Sequence, residues 1–325
     1  MRQERPWAFR GAVAWGVLQG RFTRPTVGRA ENTADTEDEV TTKPSYQITS
    51  MKTVGVFMNG RACSDTLFHV LNRAYGHPST LEERAVMPMA GGLMQHGYQC
   101  GMLWGAALAA GAQAHRLFGP TPRAEAKAIV ATQRLVDRFR SLNNETDCVE
   151  LTNIDKSSST LQMVTFFLIK GGTIKCFRMA ARYAPEARRA IDDALTEDGE
   201  DGHCSPVSCA AMLARKVGAS EQHAVTVAGL AGGIGLTGGA CGALGAAIWL
   251  VGLRSLEAGA SKLDFESPRA AGVIERFLAC TNYEFECSKI VGRGFKDVTD
   301  HASNLRDGGC AKVIHELAAA FVGSA

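Results

Sequence analysis

The chain has 325 residues with 10 Cys, 35 Gly, 46% hydrophobic and 7% aromatic residues, and a formal net charge of +2. That length allows two ordinary domains or one large one with a full core, and the near-balanced charge excludes global disorder and a basic nucleic-acid binder. Cysteine is far scarcer than the roughly 8–10% of small disulfide scaffolds, so the thiols are read as core residues, metal ligands or redox groups.

Residues 1–50 differ from the rest. Six arginines (Arg2, Arg5, Arg10, Arg21, Arg24, Arg29) face one acid, Glu4, and an acidic run of Glu31, Asp35, Glu37, Asp38 and Glu39 follows. The apolar stretch at 12–18 is short for a secretory leader and lacks a clean small-residue cleavage site. The segment is read as a disordered extension, or as the product of an upstream start with Met51 the working one, and stands outside the fold.

Beyond it, Cys63 opens Cys-Ser-Asp-Thr-Leu-Phe, and a Gly-rich run with Gly91, Gly92 and Gly97 leads into Cys100-Gly101 and an Ala-rich stretch. Residues 121–142 show apolar side chains at Ala128, Ala131, Leu135, Phe139 and Leu142, a helical spacing, with Pro120 and Thr121 marking its start. Cys148 follows. Residues 164–169 are the one strand-like run, and Gly171-Gly172 precede Cys176. Two further helices are predicted, over 185–195 and 205–217, each with an early proline. Between them, Glu197, Asp198, Glu200 and Asp201 read as a solvated linker.

His203, Cys204 and Cys209 fall within seven residues. They form either a metal-ligand cluster or, more simply, a helix start with Ser205 as cap before Pro206. From 224 to 253 the chain is uncharged. Glycines crowd its first half, and only 240–253 reads as one apolar helix, short for a membrane span. The Gly-Gly-x-Gly at 232–235 has no preceding strand, so a dinucleotide-binding reading fails. His96 is read as a solvated turn residue, and Trp104 and Trp249 as core.

A repeat organises these elements. Shifted by 141, residues 86–111 lie on 227–252 without a gap and match at ten of 26 positions. The first copy contains Gln95, His96 and Gln99, which further weakens the membrane reading of its twin. Outside this block, Val136-Asp137-Arg138-Phe139 pairs with Ile274-Glu275-Arg276-Phe277, and Gly308-Gly309 precede Cys310. Each half then holds four Cys in one order: Cys63, Cys100, Cys148, Cys176 and Cys209, Cys241, Cys287, Cys310. Cys204 and Cys280 stand apart. The expected architecture is all-α: two homologous halves, 51–198 and 199–325, packed with pseudo-two-fold symmetry.

A Gly-rich turn running into a helix puts Cys100 and Cys241 near helix N-termini, where unpaired N–H groups lower a thiol pKa. These two are therefore expected to be the most thiolate-like. Four thiolates per half are a ligand set for an iron–sulfur cluster or zinc, although no compact Cys-x-x-Cys run is present. The alternatives are a redox pair among the thiols, or a non-catalytic helical protein with structural zinc or merely buried thiols.

The order of Cys, Gly-rich turn with Cys, then two more Cys resembles the C_GCAxxG_C_C family of redox-active proteins, over 51–325, as two copies. Its central motif falls on Gln99-Cys100-Gly101-Met102-Leu103-Trp104 and on Ala240-Cys241-Gly242-Ala243-Leu244-Gly245. Gln99 and Ala240 replace the first Gly, Gly101 and Gly242 replace the Ala, and Trp104 replaces the closing Gly that survives as Gly245. The resemblance implies electron transfer or thiol chemistry at Cys100 and Cys241, with an iron–sulfur centre on the eight ordered cysteines and Gly101 and Gly242 lining it. The expected setting is cytoplasmic, with a redox partner of unknown identity, no nucleic acid, no membrane span, and self-association as a further expectation.

Overall fold

The computed structural model describes residues 47–59, 61–197, 207–261, 263 and 267–321. The proposed His203–Cys204 cluster and the acidic linker beyond Glu197 lie outside them. Helix α1 (Ser50–Met58) precedes the first half, which consists of α2 (Cys63–Ala74), α3 (Thr80–Ala85), α4 (Gly101–Phe118), α5 (Pro122–Asn143), α6 (Cys148–Thr152), α7 (Thr160–Val164) and α8 (Gly172–Thr196). The second half repeats the order as α9 (Cys209–Lys216), α10 (Glu221–Ala228), α11 (Gly242–Glu257), α12 (Pro268–Cys280), α13 (Cys287–Val291), α14 (Val298–Arg306) and α15 (Ala311–Ala319). No strand occurs among the described residues; the only sheet-like pairings are two isolated bridges, Gln99 with Asp147 and Ala240 with Glu286. No described helix is long and apolar enough to cross a membrane.

The backbone hydrogen bonds repeat with the sequence. Cys100 N–H donates to the Thr146 carbonyl and Cys148 N–H to that of Tyr98, at 2.8 and 2.7 Å. In the second half Cys241 donates to Phe285 and Cys287 to Gly239 at the same two distances. The halves are joined reciprocally: α4 packs on α10, and the equivalent α11 packs on α3. Gly111 of α4 lies against the Thr226 carbonyl and its counterpart Gly252 against that of Ala85, so the absent Cβ lets each pair of helices close.

At the pseudo-two-fold seam the departures from the family motif acquire a reason. The Trp104 ring, fully buried, lies over Gly245, its own counterpart, which has no Cβ to oppose it. Its indole N–H donates to the Gln99 carbonyl at 3.0 Å. The Gln99 side chain reaches across the seam, accepting from the N–H of its counterpart Ala240 at 3.0 Å and donating to the Gly233 carbonyl at 3.3 Å. One large and one small residue thus fill a space that two equal residues would share. Glu125 of α5, buried, adds an ion pair to Arg215 of α9 at 2.7 Å.

Several elements follow their sequence signals. Helix α5 begins at Pro122 with Thr121 Oγ1 accepting from Ala124 N–H at 3.2 Å, and Trp104 and Trp249 are core. Three readings change. The strand-like run becomes a π-helical turn, Thr165–Ile169. Pro185 does not open a helix but lies inside the 25-residue α8. A proline there leaves the carbonyl four residues back without its donor. That carbonyl, Ala181, accepts from Ser50 Oγ of α1 at 3.3 Å. The expected helix over 205–217 begins, among the described residues, only at Cys209, where Ser208 Oγ caps α9 through Ala211 N–H at 3.2 Å, and the expected Ser205–Pro206 start lies outside them.

Candidate functional site: two four-thiol neighbourhoods

Each Gly-rich turn is a run of left-handed residues. Gly91, Gly92, Leu93, Met94 and Gln95 have φ between +49° and +73°, and Gly232, Gly233, Ile234, Gly235 and Leu236 between +61° and +81°. Such a conformation costs a non-glycine residue about 1–2 kcal/mol, so it persists only where the surroundings enforce it. Here they do: Gly97 N–H closes the turn on the Gly91 carbonyl at 3.1 Å, and Gly238 N–H on that of Gly232 at 2.9 Å. The turn points a backbone N–H at a sulfur. Gly91 N–H favours the charged form of Cys63, and Gly232 N–H that of Cys209.

The first-half thiols share one neighbourhood. Cys63 is the first residue of α2, Cys100 the N-cap of α4, Cys148 the first residue of α6, and Cys176 lies in the early turns of α8. The Cys100 thiol beside it, with Gly91 N–H, outweighs burial and lowers the Cys63 pKa. The same interaction, with burial, raises that of Cys100. Burial pushes Cys148 and Cys176 up to about 12, with the Cys63 charge adding to both. Gly101 belongs to this geometry: a methyl group there would stand 2.6 Å from Cys63 Sγ.

The second-half thiols converge in the same way but with a different partner. Cys209 is the first residue of α9, Cys241 the N-cap of α11, Cys287 the first residue of α13 and Cys310 the N-cap of α15. Burial pushes Cys241 up to about 12 and also raises Cys287 and Cys310, each of them further through the Cys209 charge. For Cys209 burial is opposed by the His301 imidazole and by the N–H groups of Gly232 and Ala210, and the net effect is a lowered pKa. Gly242 sits against the Leu230 carbonyl.

The sequence argument placed Cys100 and Cys241 correctly at helix N-termini, and helix N–H groups do reach both sulfurs. The neighbouring Cys63 and burial outweigh the helix end at Cys100, burial outweighs it at Cys241, and both pKa values are raised, whereas those of Cys63 and Cys209 are lowered. All nine described cysteines are unpaired. Cys280 turns back on its own helix, donating to the Phe277 carbonyl at 3.2 Å. His96 is not solvated: its ring lies 4.8 Å from that of Phe285 in the other half, and burial lowers its pKa to about 4.

The four-thiol sets do not form a ready metal site, since among the described residues no three His, Cys, Asp or Glu side chains are grouped closely enough to hold a metal ion. Two groups that the sequence reading did not single out border the thiols. His301 is the one histidine between Cys287 and Cys310, and Asp65 stands two residues after Cys63. Asp65 is buried with one oxygen unpartnered, and desolvation raises its pKa to about 7 against the Arg61 charge.

A raised carboxylate pKa favours the fold while the group is protonated, and that contribution is lost as pH climbs through the folded-state value. Asp65 is therefore expected to lower stability between about pH 4 and 7 by up to about 4 kcal/mol. Urea unfolding of Asp65→Asn should show that slope flattened and the protein more stable at pH 8. An unchanged slope would place the ionisation elsewhere.

The protein is thus a duplicated all-α chain with four ordered thiols in each half, of which Cys63 in the first and Cys209 in the second have a lowered pKa. The chain belongs to the C_GCAxxG_C_C family, described as "putative redox-active protein", whose model matches twice, over 61–185 and 203–323. No curated protein and no solved structure matches the chain.

Proposed function

We propose that the protein carries out thiol–disulfide exchange, with Cys63 and Cys100 as the working pair of the first half. The observation that carries this reading is the packing of Cys63 Sγ against Gly101, the residue next to Cys100, where a methyl group would stand 2.6 Å from the sulfur; the Cys100 thiol and Gly91 N–H beside it lower the Cys63 pKa. A thiolate is the attacking form, and its neighbour is placed to resolve the product. Cys63 attacks one sulfur of a substrate disulfide, the S–S bond breaks, and the first thiolate leaves and is protonated. Cys100, losing its proton, then attacks the mixed disulfide at Cys63 and expels the second thiol. The substrate gains two electrons and two protons; the protein keeps a Cys63–Cys100 disulfide. The partner is accordingly a disulfide or dithiol, and a reducing compartment such as the cytoplasm suits nine unpaired thiols. Oxidising the reduced full chain with one equivalent of diamide and mapping its peptides by mass spectrometry tests this. A Cys63–Cys100 link, reversed by dithiothreitol, is the expected result; links confined to other cysteines would refute it.

A second reading, an iron–sulfur centre with zinc as its alternative, draws on the convergence of all four thiols in each half. It requires those sulfurs to close around the group, since they do not stand ready for an ion. Cys63, Cys100, Cys148 and Cys176, and Cys209, Cys241, Cys287 and Cys310, would be the ligands. Purification without oxygen, followed by iron, zinc and acid-labile sulfide analysis, decides this. Stoichiometric iron with sulfide would replace the exchange reading by electron transfer.

A further inference from the structure

One face of α8 borders a cleft. Ile174, Lys175, Arg178, Met179 and Arg182 recur with the helical period, so they share that face. Leu142 and Asn143 at the end of α5, Leu151 of α6 and Lys170 just before α8 complete the lining. The space measures about 590 Å³, the size of a site for a small molecule. Leu151 and Met179 are buried beneath it, and Ile174 is 54% exposed.

The charge in the cleft has one sign. Lys170, Lys175, Arg178 and Arg182 are all exposed, and no Asp or Glu contributes to the lining. None of the four makes an ion pair among the described residues. The Lys175 ammonium donates to the Leu151 carbonyl at 2.6 Å, which ties α8 to α6, the helix that Cys148 begins. Nearby arginines are treated differently: Arg138 and Arg189 both pair with Glu186, and Arg188 pairs with Asp192. Like charges three and four residues apart destabilise a helix, and a bound anion would relieve that repulsion. From Lys175 to Arg182 the row of cations runs about 10 Å along the axis.

The second copy has not kept this row. Aligned on Cys176 and Cys310, it carries Asn304, Gly309, Lys312 and Glu316 where the first carries Lys170, Lys175, Arg178 and Arg182. The sulfurs are common to both halves, whereas the cations belong to the first alone.

We propose that the cleft between α5, α6 and α8 binds a small polyanion, a molecule with an apolar body and carboxylate or phosphate groups along one edge. The guanidinium forks of Arg178 and Arg182 take the anionic groups with bidentate geometry, and Lys170 and Lys175 add point charges. Ile174 and Met179 cover the apolar body. The site goes beyond the exchange reading and does not depend on it. Its occupant lies against the two helices that carry Cys148 and Cys176, whether or not those thiols exchange.

The test follows the anisotropy of fluorescent pyrenetetrasulfonate, an apolar body with anionic groups, on titration with the full chain. Saturable binding that weakens as salt rises is the expected result. Arg182→Glu, the charge the second half carries there, should weaken it at least about thirtyfold, and Arg178→Gln at least about fivefold. Lys312→Gln, in the other half, should leave it unchanged. All three side chains are exposed, so these changes leave the core untouched. Lysine acetylation mapped by mass spectrometry locates the probe independently: Lys170 and Lys175 should be protected, and Lys312 should not. Displacement of the probe by citrate or pyrophosphate supports the site, and the stronger competitor assigns carboxylates or phosphates as the preferred groups. Absence of saturable binding, displacement by neither competitor, equal losses in Arg182→Glu and Lys312→Gln, or protection spread evenly over the lysines would overturn the proposal.

Discussion

Cys63→Ser is expected to abolish the first-half couple: reduction of a small disulfide through that half should fall at least about a hundredfold, because a hydroxyl at neutral pH is no substitute for a thiolate. Cys100→Ser should behave differently. Cys63 still attacks, but it loses its largest stabilising contact and its resolving partner together. Its initial rate at pH 7 should drop by roughly tenfold, and the mixed disulfide should accumulate instead of turning over. Stopped-flow kinetics with peptide mapping separates the two phenotypes. If Cys63→Ser still cycled, with Cys100 linking to Cys148 or Cys176, the thiolate assignment would be wrong.

Trp104→Ala carries the largest expected cost to stability. The indole is buried to the last atom and fills the space above Gly245, so its removal leaves a cavity between the halves that their backbones cannot close. A loss of about 3–5 kcal/mol is expected by urea unfolding. Hydrogen exchange should quicken first in α4 and α11, the equivalent helices on either side of that ring. A loss under about 1 kcal/mol would mean that the seam repacks and that the large–small pair is not what orders the two copies.

Much of this was legible in the chain because it is periodic or local. The match of 86–111 on 227–252 announced the duplicated turn, and Thr121 with Pro122 announced α5. The motif departures at Gln99, Gly101 and Trp104 were visible, but their meaning was not. Gln99 and Trp104 act on Ala240 and Gly245, 141 residues away, across a seam that only the folded halves create. The direction in which each thiol pKa moves was not legible for a related reason. A helix end is a local property, whereas burial and the contacts that oppose it come from elsewhere in the chain. Cys63 is stabilised by residues 28 and 37 positions away, and Cys209 by one 92 positions away. Pro185 shows the same limit, since its position inside α8 depends on α1 supplying a donor to the freed carbonyl.

The left-handed turn links the fold to the chemistry most directly. Three non-glycine residues in the first copy and two in the second hold positive φ where glycine would serve with less strain. Their side chains account for part of this: Leu93, Met94 and Ile234 are core residues that a glycine could not replace. The turn thus uses core packing to keep Gly91 and Gly232 N–H beside Cys63 and Cys209, the two thiols whose pKa is lowered.

The central claim is that the first half is a two-electron dithiol couple centred on Cys63. Equilibrating the full chain in glutathione buffers of graded redox ratio, with acid quenching and mass mapping at each point, measures it. The account predicts a single reversible two-electron transition in the Cys63–Cys100 peptides, absent from Cys63→Ser. Persistent thiols at both positions across the whole range, or a transition that Cys63→Ser leaves intact, would contradict it.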